Sequence, residues 1–313
     1  MVKCNLCNRS AVYVSRVGGI AYCDKHFLRY FDRKVRKTLR KYQMFKDKEH
    51  IIIAVSGGKD SLSLLHYMVN LSKRVPGWKI TALLIDEGIK GYRDETIKDF
   101  LRVVNELNVD YHIARFKDEI GYTLDEIVKL STKKKLPYTP CSYCGVFRRY
   151  LLNKAARELG GTVLATAHNL DDIVQTYLMN VLRNDWEKVS RLGPISGIST
   201  HPRFVRRVKP FYEILEKETT LYAILNQLYP KFTECPYAQY SLRWIIRRQI
   251  NEIEEKYPGT KYSLLRSLLT ILDILKEKYG GGEIKTCKIC GEPSAHEICR
   301  ACLYKKELGI IDF

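Results

Sequence analysis

The stretch "IIIAVSGGKDS" (residues 51–61) decides the fold of this chain. Its aliphatic half is typical of a buried strand, and the two glycines then break the strand pattern. Apolar residues at helical spacing follow from Leu62, so the polar part lies between a strand and a helix. Glycines let the backbone approach an anion closely, and free amides at a helix start bind phosphate. The stretch therefore predicts a phosphate-binding loop, and its spacing differs from that of the GxxxxGK[ST] Walker loop.

Further strands alternate with helical patterns after this loop. The predicted strands begin at Ile51, Ile80, Tyr111 and Thr162, in "IIIAV", "ITALLI", "YHIARF" and "TVLATA". Between them, apolar residues recur at the spacing of an amphipathic helix. Such alternation predicts an α/β fold, in which a parallel sheet is covered by helices on both faces. We expect this domain to span about residues 48–215.

The cysteines near both ends of the chain form two sets with metal-ligand spacing. "CNLC" is followed by "CDKH", and "CKIC" is followed by "CRAC", so each set contains two pairs with two residues between the ligands. Two such pairs complete a tetrahedron around Zn²⁺, and a site with four protein ligands is closed and structural. We therefore predict zinc modules at residues 1–30 and 283–313. Their ligands are Cys4, Cys7, Cys23 and His26, and Cys287, Cys290, Cys299 and Cys302.

The charge of the chain favours a polyanionic partner. Its 313 residues include 53 Lys and Arg against 35 Asp and Glu, a formal net charge of +18. Cations that neutralise phosphates release counterions, which favours nucleic acid. Three basic segments are candidate RNA contacts: 33–41, 203–209 and 243–248. The first lies within a predicted linker helix at 31–47. A solvated basic helix has the same composition. A helical extension is expected at 216–282.

The sequence shows no segment that would place the protein in a membrane. No uncharged apolar run approaches the roughly 18 residues of a spanning helix, and the amino terminus lacks the apolar region of a signal peptide. We expect a soluble cytoplasmic protein. In that compartment thiols stay reduced, and paired cysteines bind metal more often than they form disulfides.

Three interior cysteines, Cys141, Cys144 and Cys235, leave one position of a four-ligand set empty. Two hypotheses fit them. Three thiolates could hold a [4Fe–4S] cluster with one iron open to an external ligand, or one cysteine could carry a persulfide that Cys235 resolves. Buried apolar cysteines are a third explanation, which the adjacent prolines in "TPC" and "ECP" disfavour. The residues alone leave the first two open.

The loop "SGGKDS", with "LLIDEGI" (83–89) and "ATAHNLDD" (165–172), resembles the ATP pyrophosphatases, which share a Rossmann-like adenine-nucleotide α-hydrolase (PP-loop) fold. This resemblance implies that ATP activates a carbonyl oxygen as an adenylate and that pyrophosphate leaves. It also implies ATP and Mg²⁺ as cofactors, with Asp60 and Asp172 contributing to activation. The implied nucleotide-binding residues are Ala54, Ser56, Gly57, Gly58, Lys59, Ser61, Ile85, Asp86, Ala165 and Asp171.

The arrangement along the whole chain resembles the TtuA-type tRNA 2-thiouridine synthetases. That resemblance implies a [4Fe–4S] cluster on the interior cysteines, sulfur supplied by a ubiquitin-like thiocarboxylate carrier, a homodimer, and a catalytic cation at Arg148. The expected reaction adenylates the C2 oxygen of a tRNA uridine and replaces it with sulfur. A surface rich in Lys and Glu is typical of thermophilic proteins. A thermophilic source favours uridine 54 of the T-loop over the wobble uridine.

Alternatives to this function remain at the level of sequence. A wobble-uridine thiolase and a persulfide-dependent thiolase share the fold and most of the motifs. A non-enzymatic zinc-finger RNA-binding protein would explain the charge and both ends of the chain. It would leave "SGGKDS" and the interior cysteines without a role.

Overall fold

The structure is a computed structural model that describes residues 2–196, 201–228, 234–238, 242–279 and 284–313. The predicted boundary at residues 282 and 283 lies outside the described residues. No helix in the described part of the chain is both long and apolar enough to cross a membrane. The strands are β1 (Tyr13–Val14), β2 (Ala21–Tyr22), β3 (Glu49–Val55), β4 (Trp78–Asp86), β5 (Asp110–Arg115), β6 (Val163–Thr166), β7 (Ile195–Ser196), β8 (Arg206–Val208), β9 (Lys285–Thr286) and β10 (Pro293–Ser294).

Helices connect and cover these strands. They are α1 (Asp24–Lys41), α2 (Lys59–Ser72), α3 (Arg93–Leu107), α4 (Phe116–Ile120), α5 (Leu124–Lys133), α6 (Pro140–Glu158), α7 (Leu170–Val181), α8 (Trp186–Ser190), α9 (Glu216–Leu225), α10 (Leu242–Lys256), α11 (Thr260–Tyr279) and α12 (Arg300–Leu308). Helices α9, α10 and α11 lie within residues 216–282, where a helical extension was predicted. Helix α1 crosses the predicted boundary at residues 30 and 31, because it begins directly after Cys23.

The central sheet has six strands in the order β5-β4-β3-β6-β8-β7. All neighbours are parallel except β7 and β8, which pair antiparallel. The four strands predicted from the sequence form its main part, which confirms the α/β fold. The chain passes from β3 to β4 and β5 on one side of β3, and then to β6 on the other side of β3. The direction of the strand order therefore reverses at β3. Ligands of open α/β sheets bind at such a switch point, outside the carboxyl ends of the strands.

The two faces of the sheet carry separate hydrophobic cores. Side chains of β3 alternate between them: Ile51 and Ile53 pack in the core that contains Phe31 of α1, and Ile52 packs in the other. The second core contains Phe147 of α6 and the cysteines of the C-terminal metal set. The N-terminal and C-terminal modules therefore complete opposite faces of one sheet.

Candidate functional site

The phosphate-binding loop joins β3 to α2 and is closed by hydrogen bonds within itself. Ser61 Oγ accepts from the Ser56 amide at 3.0 Å and donates to the Gly58 carbonyl at 2.9 Å. Helix α2 begins at Lys59, and no side chain in the described chain caps it. Its first amides are therefore free to bind an anion at the switch point of the sheet.

Gly57 is required by the shape of this loop. Its φ is +81°, and a Cβ atom there would lie 2.4 Å from the Thr96 carbonyl oxygen of α3. We expect Gly57→Ala to weaken ATP binding by about tenfold to a hundredfold, which corresponds to roughly 1 to 3 kcal/mol of backbone strain. Isothermal titration with ATP measures this loss.

The neighbouring glycine provides the matched control. At Gly58 the backbone is extended (φ −83°), and an added Cβ would have Ser56 Oγ as its nearest neighbour at 3.6 Å. Gly58→Ala is therefore expected to reduce ATP affinity much less than Gly57→Ala. Equal losses in the two variants would show that the close approach to α3 does not shape the loop.

Lys59 lies between two carboxylates. Its Nζ is 2.8 Å from Asp60 Oδ2 and 2.9 Å from Glu216 Oε1 at the start of α9. Burial lowers the pKa of Lys59, but the charges of Asp60 and Glu216 outweigh burial and raise it above the ordinary value. Glu216 also pairs with Arg247 of α10 at 2.8 Å. The positive charge at the loop is thus held in place by Asp60 and by Glu216, which the sequence analysis did not single out.

Asp172 lies in the first turn of α7, which begins after β6. Its carboxylate accepts from the Asn169 amide at 3.2 Å and pairs with Arg243 of α10 at 3.2 Å. Burial raises the pKa of Asp172 to about 6, although Arg243 opposes this shift. The side chain is densely surrounded by protein atoms and still has 33% of its surface accessible, so it borders a cleft.

Asp171 lies in a different environment. It is buried, and its carboxylate accepts from the Glu216 amide at 2.8 Å and from Lys261 of α11. All of its described partners belong to the protein. Its assignment as a nucleotide ligand stays a prediction.

The pKa of Asp172 has a consequence for stability. A carboxyl group whose pKa is raised in the folded state destabilises the fold progressively as the pH rises from the unfolded pKa to the folded pKa, and the full cost is present above the folded value. We therefore expect Asp172→Asn to raise the melting temperature of the nucleotide-free protein at pH 7.5, by roughly 2 °C for about 1 kcal/mol after allowance for solvent exposure. The gain should shrink when the pH is lowered to 5.5.

Asp171→Asn is the control for this prediction. It leaves buried Lys261 without its carboxylate, so it should lower the melting temperature at both pH values. A gain for Asp172→Asn that does not depend on pH would mean that ionisation of this carboxylate is not its cause.

The remaining predicted nucleotide ligands lie at the carboxyl ends of neighbouring strands. Ile85 and Ala165 are buried and Ala54 is partly buried. Asp86, the last residue of β4, accepts a hydrogen bond from the Gly88 amide at 2.8 Å. The fold thus brings β3, β4 and β6 together at one edge, as the predicted site requires.

The interior cysteines lie beside this edge. Cys141 and Cys144 are in the first turns of α6, which starts at Pro140. Cys141 Sγ lies 3.6 Å from the Tyr237 carbonyl oxygen, and the Tyr237 hydroxyl donates to Asp125 at 2.7 Å. These contacts bring the short segment 234–238, which contains Cys235, against α6.

The thiols of α6 are chemically suited to soft metal ligation. Burial raises the pKa of Cys144 to about 11, and Arg148 opposes this shift. Burial also raises the pKa of Cys141, and the nearby Cys235 adds to the effect. Metal binding would deprotonate these thiols, and three soft sulfur donors fit an iron–sulfur cluster with one open iron.

An ion-pair chain connects Cys144 with the phosphate-binding loop. Arg148 Nη2 donates to Cys144 Sγ at 3.1 Å and lies 2.6 Å from Glu87 Oε1, an ion pair without hydrogen-bond alignment. Fully buried Glu87 also pairs with Arg93 of α3, whose Nη1 donates to the Ser56 carbonyl at 2.6 Å. Glu87 raises the pKa of Arg148, which keeps that cation charged beside the thiol.

Neither Glu87 nor Arg93 was singled out from the sequence. The acidic residue after "LLID" was the available signal. Arg148 itself has 42% of its side chain accessible although protein atoms surround it closely.

The terminal cysteine sets each converge on a point. Among the described residues these two sets are the groups whose four ligand atoms all lie within 4.8 Å of one another. Cys7 and Cys23 have their Sγ atoms 3.6 Å apart, as do Cys290 and Cys299. Such spacing fits a single tetrahedral ion in each set. Among the described residues, Cys141, Cys144 and Cys235 do not form such a compact group.

The basic segment 243–248 lies over the site rather than on a remote surface. Arg243 Nη2 donates to Thr176 at 2.7 Å in addition to its ion pair with Asp172, and Arg247 pairs with Glu216. In the segment 203–209, Arg206 pairs with Glu49 at 2.9 Å and Arg203 donates to the Gly291 carbonyl at 2.9 Å. Some of the basic residues in these segments therefore form ion pairs and hydrogen bonds within the protein.

Comparisons with known proteins agree with this geometry. A family described as PP-loop domain matches residues 28–254. The tRNA-5-methyluridine(54) 2-sulfurtransferase of Pyrococcus horikoshii is 36% identical over 98% of this chain and 96% of its own length. The tRNA 2-thiolation protein NcsA of Haloferax volcanii is 33% identical over 96% of this chain and 97% of its own. The solved U34-tRNA thiolase NcsA from Methanococcus maripaludis, with its [4Fe–4S] cluster, has a TM-score of 0.83 and 36% identity, and the match covers 100% of this chain and 98% of that one.

Proposed function

Because this chain belongs to the PP-loop family, in the branch of the tRNA 2-thiolation proteins, we propose that it is an ATP-dependent tRNA uridine 2-sulfurtransferase. The observation that carries the proposal is the ion-pair chain from Cys144 through Arg148, Glu87 and Arg93 to the loop at Ser56. It connects an anion-binding loop with a three-thiol site. RNA binding alone does not require a link between a phosphate-binding loop and a set of thiols.

The first half of the reaction takes place at the loop. Amides of the loop and of the first turn of α2 bind the phosphates of ATP, and Lys59 offsets their charge. The C2 oxygen of the uridine attacks the α-phosphorus, and the bond to the β-phosphate breaks with its electron pair leaving on pyrophosphate. Asp60 and Asp172 would hold Mg²⁺, which supplies positive charge to the leaving group.

The second half replaces oxygen by sulfur at C2. When bound to Cys141, Cys144 and Cys235, a [4Fe–4S] cluster supplies an iron with an open position for sulfide. Attack of sulfur at C2 breaks the bond to the activated oxygen, which leaves with its electron pair as part of AMP. Arg148 places a fixed positive charge beside Cys144, where negative charge enters with the sulfur.

The other assignments complete the proposal. Each terminal set holds one structural Zn²⁺. The substrate is tRNA, a ubiquitin-like carrier with a thiocarboxylate delivers the sulfur, and the enzyme works as a cytoplasmic homodimer. The named relatives support the tRNA and the cluster, since their descriptions include 2-thiolation and [4Fe–4S].

The target position is the second point to determine. Composition favours uridine 54, and the Pyrococcus relative is described as acting on position 54. The Methanococcus neighbour is described as a U34-tRNA thiolase, which favours the wobble uridine. Mapping of 2-thiouridine along the tRNA separates the two.

The test uses the anaerobically purified protein with ATP, sulfide and unmodified tRNA. Pyrophosphate release and 2-thiouridine, measured by nucleoside mass spectrometry, are the expected results. About four irons and four acid-labile sulfides per chain are expected as well. Absence of both products would overturn the proposal. A zinc-only protein that still thiolates tRNA would instead assign the interior cysteines to persulfide chemistry.

A further inference from the structure

A groove of about 590 Å³ lies between α6, β8 and the C-terminal module, away from the phosphate-binding loop. Four cationic side chains line it, together with three aromatic rings and a single carboxylate. We call it the basic groove. The cations are Arg149, Lys188, Arg207 and Arg300, the rings are Tyr150, Phe204 and Tyr304, and the carboxylate is Glu292.

The central cations of the basic groove lack anionic partners. Glu292 binds Arg157 at 2.5 Å, so its charge is already used. Arg207 Nη2 donates to the Arg149 carbonyl at 3.0 Å, while its Nε is buried and has no acceptor in the described residues. In the same part of the chain, no carboxylate forms an ion pair with Arg149 or Arg207.

These two arginines also disfavour each other. Burial lowers the pKa of Arg207 to about 10, and the charge of Arg149 contributes. The pKa of Arg149 is lowered by burial and by Arg148. Two adjacent cations held without a counter-charge are stabilised by a bound anion, because it relieves both the desolvation and the repulsion.

We propose that the basic groove binds the ribose-phosphate backbone and bases of tRNA nucleotides next to the target uridine. This rests on the proposed function and extends it to a defined surface. A positive groove lined with aromatic rings is the arrangement used for unpaired nucleic acid, in which phosphates meet cations and bases stack on rings. The net charge of +18 favours the same partner.

The position of the groove relative to the reacting site supports this assignment. Ser142, Val146, Arg149 and Asn153 line the groove from one face of α6. Cys144 and Arg148 face the other way, towards Glu87. Cys144 and Arg149 are separated by roughly 7 Å along the helix axis at 1.5 Å per residue. A strand held in the groove therefore lies across α6 from the thiol site, and its neighbouring nucleotide passes around this helix to reach it.

The test measures tRNA binding directly, so it does not depend on thiolation. Metal-loaded wild-type protein, Arg149→Glu and Arg207→Gln are titrated with fluorescent tRNA, without ATP, at several salt concentrations. We expect Arg149→Glu to weaken binding by about tenfold or more, and each variant to reduce the salt slope by roughly one. Arg74→Glu is the matched control, because Arg74 is exposed in the turn after α2, at the opposite end of the sheet.

Each outcome decides the inference. Tenfold losses with a lower salt slope, compared with a small effect of Arg74→Glu, support the basic groove as an RNA site. Unchanged tRNA affinity in Arg149→Glu overturns the proposal that the basic groove binds RNA. This holds even if the variant loses binding of an acidic carrier protein. Arg149→Gln replaces Arg149→Glu if the latter has a lowered melting temperature. If the wild-type protein thiolates tRNA and the groove variants bind tRNA normally, only the proposal for the groove is contradicted. If the wild-type protein binds no tRNA, both this proposal and the proposed function are contradicted.

Discussion

Cys144→Ser is expected to lower the amount of 2-thiouridine formed by at least a hundredfold, while ATP binding remains. Cys144 is the thiol that Arg148 contacts at 3.1 Å, and the ion-pair chain to the phosphate-binding loop starts there. Serine is a poor ligand for iron, so the third thiolate of the proposed cluster is lost. The measurement is nucleoside mass spectrometry of tRNA after incubation with ATP and sulfide under anaerobic conditions.

Internal controls separate this loss from misfolding. Zinc should remain at about two ions per chain, because both terminal sets are intact. Isothermal titration should give ATP affinity close to wild type. Iron content should fall in Cys144→Ser and equally in Cys235→Ser. Full thiolation by Cys144→Ser with normal zinc would remove this cysteine from the mechanism and leave Cys141 and Cys235 as the sulfur-handling pair.

Glu87→Ala is expected to lower the free energy of unfolding by about 3 to 5 kcal/mol, because it leaves buried cations without their counter-charge. Glu87 has no accessible surface, and Arg93 is only 3% exposed. Burial works against ionised Glu87, but the charges of Arg148 and Arg93 more than offset it and keep its pKa below the ordinary value. Urea denaturation of the metal-loaded protein measures the loss as a shift of the midpoint.

Two variants give this result its meaning. Glu158→Ala removes an exposed carboxylate 4.0 Å from Lys154, and such a surface pair contributes less than about 1 kcal/mol. Glu87→Gln keeps the volume and one acceptor and should fall between wild type and Glu87→Ala. If Glu87→Ala were no more harmful than Glu158→Ala, the two arginines would have another source of compensation.

The sequence predicted the parts of this molecule that depend on local pattern. The strands β3, β4 and β6 are rich in β-branched and aliphatic residues, and the loop after β3 contains its glycines in consecutive positions. Both terminal sets follow from ligand spacing alone, and their ligand atoms do converge. Strands β7 and β8 were missed, since they have only two and three residues, and two arginines interrupt the apolar pattern of β8.

Contacts between distant segments could not be predicted in the same way. Lys59 and Glu216 are 157 positions apart in the sequence, and they meet because α9 returns to the edge of the sheet. Arg148 could equally have been a solvated residue of a basic helix, and the fold gives it an anionic partner by placing Glu87 directly after β4. Periodicity reports which face of an element is buried, but not which charged residue of another element lies opposite.

The separate hydrophobic cores on the two sheet faces impose an order on biosynthesis. Phe147 of α6 packs against Tyr304 of α12, with ring centroids 6.2 Å apart. At translation rates of about 5 to 20 residues per second, the ribosome needs roughly 10 to 30 s to pass from one of these residues to the other. During that interval the nascent helix that bears Cys141 and Cys144 lacks its aromatic cover, whereas the core on the α1 face, whose buried residues extend to Leu272, can close before α12 is made. We therefore expect insertion of the proposed cluster to follow folding of the module that contains Tyr304.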